Sequence, residues 1–313
     1  SGRMNFAVSN DGRRWPRARA SHVDSQTLLE NAFDGAYWYH QSPPNRVTMA
    51  ESPNAEDWIE IDFGAPRKVD EVALYFLEDA EQIGPPKFVR IELGDGETRR
   101  GVYVERQTPA RPQGRMANRY AFAPTLARTV RVTFAHDGAK RTGLTEIEVW
   151  GDADPHFKPA PEPKGNLALR VEGVEYPRMT ASHTSRFDKL EEVHDGIRQF
   201  RPNPRNRWTA YESKAEQDWI EVDFGEPKTF RRVELSFYDD RGGVKAPQRY
   251  SILVWIDGAW KAVDSLQISP SPPRGGTINE AVFSPTTASK LRIEFVHTPG
   301  SRVGLTELEV WND

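Results

Sequence analysis

Apolar and polar residues alternate one by one along WIEIDFG, residues 58–64. Ile59, Ile61 and Phe63 fall on one face and Glu60 and Asp62 on the other, the pattern of a strand with one face buried. The alternation returns in VELSFY (233–238), YSILVWI (250–256), KLRIEFVH (290–297) and LTELEVW (305–311). Turn-rich pieces such as DDRGGVKAP (239–247) and SPSPPRGG (269–276) separate these runs, and no long segment carries a helical stripe. Antiparallel strands at this spacing predict an all-β sandwich or jelly roll with its loops gathered at two ends.

The pattern is written twice. Residues 5–152 align without a gap with residues 166–313, with 53 identities in 148 positions. The matches form islands: PR..ASH at 16–22 and 177–183, Asp-Gly at 34 and 195, R.T..ES....DWIE.DFG from Arg46 and Arg207, and R.GLTE.EVW ending at Trp150 and Trp311. Between the copies lies ADPHFKPAPEPKG, residues 153–165, whose four prolines favour an extended, semi-rigid spacer. The expected organisation is a first domain over 1–152, a linker over 153–165 and a second domain over 166–313. A period near 160 residues is far too long for a solenoid or propeller repeat.

Composition narrows the function classes. With 42 Lys and Arg against 46 Asp and Glu, the net charge of −4 gives no general attraction to nucleic acid or anionic membranes. Cysteine is absent, which removes disulfides, thiolate metal sites and cysteine nucleophiles together. No apolar run approaches the roughly 18 residues of a membrane span. The opening SGRM reads as a remnant before an internal start, so the chain is expected to be a piece of a larger protein whose targeting signal lies elsewhere. No G-x-S-x-G elbow, HExxH, Walker loop or dinucleotide glycine pattern occurs, and no catalytic residue is assigned.

The order ASH, DG, RWTAYES..QDWIEVDFG and closing GLTELEVW resembles the coagulation factor 5/8 type C, or discoidin-like, domain, which overlaps with family 32 carbohydrate-binding modules. The resemblance covers both repeats almost end to end. It implies two tandem galactose-binding-like β-sandwiches that bind an oligosaccharide or polysaccharide without catalysis. It further implies a monomer joined in cis to the catalytic domain of a polysaccharide-degrading enzyme, at an extracellular, periplasmic or cell-surface location. The same resemblance implies a structural calcium, held by Asp34, Thr48 and Glu146 in the first copy and by Asp195, Thr209 and Glu307 in the second. A few carboxylates with loop oxygens suit that hard cation, although Asp-Gly is equally a plain turn pair.

Sugar sites need an aromatic ring beside polar groups. The first copy has YWYH at 37–40 after its DG, making Trp38 the leading platform with Tyr37 and Tyr39 as alternates; the second has RQFR, leaving Phe200 as a weaker equivalent. Polar candidates shared by the copies are Arg17 and Arg178, His22 and His183, Arg46 and Arg207, His136 and His297, and Arg141 and Arg302. The loops LEDAEQIGPP and YDDRGGVKAP depart from the family's galactose-binding pattern and put forward Asp79, Asp240 and Arg241 instead. Recurrence within one chain shows common descent of the copies and does not separate binding from folding. Two other classes stay open: a structural or protein-contacting spacer without sugar affinity, and a lipid-binding tip built on YWYH. The run RRWPRARA, residues 13–20, also admits an acidic glycan.

Overall fold

The computed structural model describes residues 2–40, 44–154, 156–158, 160 and 165–313. Contacts divide the chain into two units, Ser1–Glu162 and Pro163–Asp313. The first holds β1 (Arg3–Asn5), β2 (Arg17–Ala20), β3 (Val47–Thr48), β4 (Glu56–Phe76), β5 (Phe88–Gly94), β6 (Arg99–Gly101), β7 (Val104–Thr108), β8 (Ala117–Ala135) and β9 (Gly143–Asp152). The second holds β10 (Arg178–Ala181), β11 (Trp208–Thr209), β12 (Gln217–Phe237), β13 (Arg249–Ile256), β14 (Ala259–Ala262), β15 (Gln267–Ser269), β16 (Thr277–Val296) and β17 (Gly304–Trp311). The only helical pieces among the described residues are short 3-10 turns at Leu29–Ala32 and Leu190–Val193, each leading into an Asp-Gly.

Two layers arise from one ribbon. β4 runs for 21 residues and breaks register against β8 between Asp62 and Arg67 and again between Val69 and Glu71. Before the break it lies between β2 and the C-terminal half of β8; after it, between β9 and the N-terminal half of β8. Such bulges bend a strand and re-aim its side chains, so a single strand serves both layers. The alternation read in WIEIDFG is kept: Ile59, Ile61 and Phe63 point inward with Val72, Leu74 and Phe76, against Val130, Val132, Phe134, Ile147 and Val149. Each fully buried ring or aliphatic group of this kind contributes roughly 1.5–3 kcal/mol. The corner falls at Gly64, with φ +72° and with the Trp15 ring 2.4 Å from where a Cβ would stand. The second unit repeats the device, with β12 and β16 as the long strands and Gly225 at the corner against Tyr176.

β1 pairs with the end of β9, Arg3 opposite Asp152, which places the two ends of the first unit side by side. Part of the expected spacer is attached to this unit. Phe157 packs 5.7 Å from the Phe6 ring, and Arg67 lies 4.5 Å over Phe157 while donating to the Lys158 carbonyl at 2.9 Å. Of the same stretch, Pro155, Pro159 and 161–164 lie outside the described residues.

Candidate functional site

Each Asp-Gly turn folds over the last strand of its unit. Gly35, at φ +82°, donates its N–H to Glu146 Oε1 at 2.9 Å, and the Ala36 N–H bonds Asp34 Oδ1 at 2.9 Å. The second unit matches: Gly196 N–H to Glu307 Oε1 at 3.1 Å and Ile197 N–H to Asp195 Oδ1 at 2.9 Å. The other carboxylate oxygen of Glu146, and likewise of Glu307, is buried with no hydrogen-bond partner. Burial, with the Asp34 carboxylate beside it, pushes Glu146 up to about 9. Burial likewise drives Glu307 far above the carboxylate range and raises Asp195. Two carboxylates desolvated together with one oxygen unpaired are costly unless a proton or a cation compensates. Around them stand the amide of Asn45 on the Ala36 carbonyl, and the amide of Asn206 on the Ile197 carbonyl at 3.0 Å and Asp195 Oδ1 at 3.4 Å. Carboxylate, carbonyl and amide oxygens form a donor set that fits a hard divalent cation.

The threonines expected in this set have other partners. Thr48 Oγ1 donates to Asp24 Oδ2, and Thr209 Oγ1 to Asp188 Oδ2 at 2.6 Å. Asp24 aligns with Ser185 and Asp188 with Thr27, so the carboxylate that satisfies the threonine has moved three positions between copies. Asn45 and Asn206, which border the cluster, both open an N-R-x-T pattern that recurs in the two copies.

Several proposed ligand contacts turn out to hold the fold. His136 Nε2 meets Asp57 Oδ2 at 2.9 Å, its Nδ1 accepts the Thr142 N–H at 3.1 Å, and Asp57 Oδ1 also receives Ser21 Oγ at 2.7 Å and Asn54 Nδ2 at 2.8 Å. His297, Asp218 and Ser182 repeat the arrangement. Both imidazoles are almost fully buried, which removes them from any sugar site. Arg141 and Arg302 bond the Ser52 and Ser213 carbonyls at 3.2 and 2.7 Å and tie loops together. Asp79 Oδ1 collects the N–H groups of Glu81, Gln82 and Ile83, and Asp240 Oδ1 those of Gly242 and Val244, each folding its own loop. Arg17 and Arg178 lie on strands β2 and β10, not on loops. His22 bonds Asp24 at 3.0 Å and His183 the Tyr211 carbonyl at 3.0 Å. Phe200 is only 4% exposed and cannot serve as a platform, because its loop turns that ring into the unit. In RRWPRARA, Arg13 pairs with Asp11 and Arg19 with Glu60, and Arg14 lies over Trp15.

What stays at the loop end differs between units. In the first, Tyr37 is 53% exposed and stacks on Tyr75 at 4.4 Å, whereas Trp38 and Tyr39 are half-buried. Burial and the neighbouring Tyr37 push Tyr39 up to about 12. Arg46 closes the same loop by donating to the His40 carbonyl at 2.7 Å; burial lowers its pKa and the Asp79 charge opposes that. In the second unit Arg207 lies 4.2 Å over the Tyr238 ring and 3.5 Å from Asp188, with Arg205 and Asp240 close enough to shift Tyr238 as well. Arg241 is exposed beside them, at φ 62°.

A bent β-ribbon making a two-layer sandwich, with an acidic cluster under an Asp-Gly turn and polar and aromatic loops at one end, defines a discoidin-like module, present twice. The F5/8 type C domain matches residues 17–147 and 179–308, and the chain belongs to that family. No curated protein matches the chain. Among solved structures, the Streptococcus pneumoniae β-galactosidase BgaA is similar at 21% identity over 47% of this chain and 98% of that one, with a TM-score of 0.45. The family 32 carbohydrate-binding module of Clostridium perfringens NanJ, solved with galactose, is 18% identical over 43% of this chain and 92% of its own, at 0.36. Chitosan-binding module 2 of a Paenibacillus sp. IK-5 chitosanase/glucanase, solved with chitotriose, is 22% identical over 47% and 99%, at 0.33.

Proposed function

We infer that the chain is a non-catalytic carbohydrate-binding tandem that holds a larger polysaccharide-degrading enzyme on its glycan outside the cell. The observation that carries this reading is the Tyr37 ring, half exposed yet fixed by stacking on Tyr75, in a loop that also holds Arg46. A rigid ring beside hydrogen-bonding groups is what a sugar's apolar face and hydroxyls require. Tyr37 thus takes the platform role first given to Trp38. The absence of catalysis is supported by the pairing of the recurrent carboxylates on β4: Glu60 with Arg19, Arg99 and Arg131, Asp62 with Arg128, and Asp57 with His136. None of these is left to act as a free acid or base.

Calcium belongs to the same reading. Asp34, Asn45 and Glu146 would hold it in the first unit and Asp195, Asn206 and Glu307 in the second, bracing the turn from which the binding loop departs. Among the described residues no helix is long and apolar enough to cross a membrane. The test is calorimetry with short neutral oligosaccharides, with calcium and with chelator. Saturable binding that Tyr37→Ala abolishes while the unit stays folded supports the proposal. A folded protein silent toward every sugar would favour the spacer reading, and binding to anionic vesicles lost in Tyr37→Ala would favour the lipid tip.

A further inference from the structure

The second unit carries an aromatic plate on the outside of one layer, away from the loop end. Along β12 the outward residues are Trp219, Glu221 and Asp223; along β16, Glu294, Arg292 and Lys290; along β13, Ser251, Leu253 and Trp255; along β14, Ala262 and Trp260. Arg292 is sandwiched between the Trp219 ring at 4.5 Å and the Trp260 ring at 4.3 Å, so those rings lie no more than about 9 Å apart. Trp255 meets Trp260 edge-on at 5.2 Å and is 36% exposed.

The first copy serves as an internal control. It keeps the inner pair, with Arg131 3.7 Å over Trp58. Where the second unit has Trp255 and Trp260, however, the first has Gly94 and Arg99, and Arg99 is used to pair with Glu60. The same sandwich therefore forms without the two outer tryptophans. They do form a cross-strand pair that stiffens the β13–β14 hairpin around Asp257-Gly258. That role calls for one ring contact and does not account for the exposed area or for alignment with Trp219 across two further strands.

The charges name the occupant. Arg292 is bonded to Glu221 at 3.0 Å, and Lys290 lies 3.5 Å from both Glu221 and Asp223. Glu294 adds a third carboxylate to those of Glu221 and Asp223 against the two cations, so the plate is slightly acidic, with donors and acceptors set among ring faces; it complements an uncharged polyhydroxylated chain and repels an anionic one. A sheet face also lacks the end wall of a loop pocket, so it accepts the interior of a polymer and not a chain terminus.

We propose that this face of the second unit is a glycan-binding platform for the interior of a neutral polysaccharide chain, separate from the loop ends. The experiment is affinity electrophoresis of the full chain through gels containing a β-glucan, a xylan or a mannan, with alginate as the anionic comparison. The wild type is expected to be retarded by at least one neutral polymer and not by alginate. Trp255→Val with Trp260→Arg is expected to weaken that binding at least tenfold, in the wild type and in a Tyr37→Ala background alike. Loss in Tyr37→Ala alone would assign polymer binding to the loop end and overturn the platform. So would unchanged retardation of the double variant, absence of retardation by every neutral polymer, or a self-associated species that the double variant dissolves. Acrylamide quenching of the wild type needs no variant: the polymer must protect tryptophan fluorescence, and unchanged quenching at saturating polymer overturns the proposal even where the double variant fails to fold.

Discussion

His136→Ala separates a folding role from a binding role, and its cost follows from the contacts. The substitution removes the 2.9 Å partner of Asp57 Oδ2 and the acceptor of the Thr142 N–H, both enclosed with Asp57 at zero exposure. Leaving the buried Asp57 carboxylate and the Thr142 N–H each short of a hydrogen bond costs about 2–4 kcal/mol. For a unit of about 150 residues each kcal/mol moves the midpoint by about 2–4 °C, so the first unit should melt roughly 4–16 °C lower. The second unit keeps His297 and Asp218 and provides an internal reference in the same thermogram. Differential scanning calorimetry should show one transition displaced and the other unmoved. A variant that melts within about 2 °C of the wild type but loses sugar binding would refute the reasoning and restore His136 to the ligand site.

Other outcomes follow from the same structure. Calcium at a hundredfold excess over its Kd should stabilise each unit by about 2.7 kcal/mol, a shift of roughly 5–11 °C that chelator reverses and that Glu146→Gln removes from the first unit alone. Gly64→Ala should destabilise the first unit by at least 1 kcal/mol in urea unfolding, since φ +72° and the Trp15 ring both oppose a Cβ. Asp24→Ala should free the Thr48 hydroxyl and the Ala50 and Glu51 N–H groups together, and hydrogen exchange at 48–51 should rise while the β4–β8 core stays protected. Burial alone would raise Asp57, but donors from His136, Ser52, Asn54 and Ser21 outweigh it and hold the carboxyl well below its usual range. Asp218 is lowered by the equivalent His297, Ser182 and Ser213. Their stabilisation is complete above the unfolded carboxylate value near 4 and is lost as pH falls below it, so acid titration of the melting temperature should drop there in both units.

The strands were legible because each long one has a single buried face, so alternation at Ile59, Ile61 and Phe63 survives into the packed structure. The acidic cluster was half legible: Asp34 and Glu146 stand on recurrent turn and strand motifs, but Thr48 could not be assigned from recurrence. Its partner sits at 24 in one copy and 188 in the other, and three-dimensional proximity, not alignment, links them. His136 and Asp57 recur together 79 residues apart, a pairing visible only once β4 and β8 lie side by side. The aromatic plate was invisible to a search for loop sites, because Trp255 and Trp260 read as ordinary members of a strand until the register set them opposite each other.

The pairing of Arg3 with Asp152 has a mechanical consequence. Chain enters and leaves the first unit through adjacent antiparallel strands, so tension between those ends loads the β1–β9 pair as a zipper, one hydrogen bond after another, and not as a lap joint that shears all at once. A unit whose two ends are pulled apart should yield first at Arg3–Asn5, releasing three residues at low force while the bent ribbon of β4 and β8 stays closed.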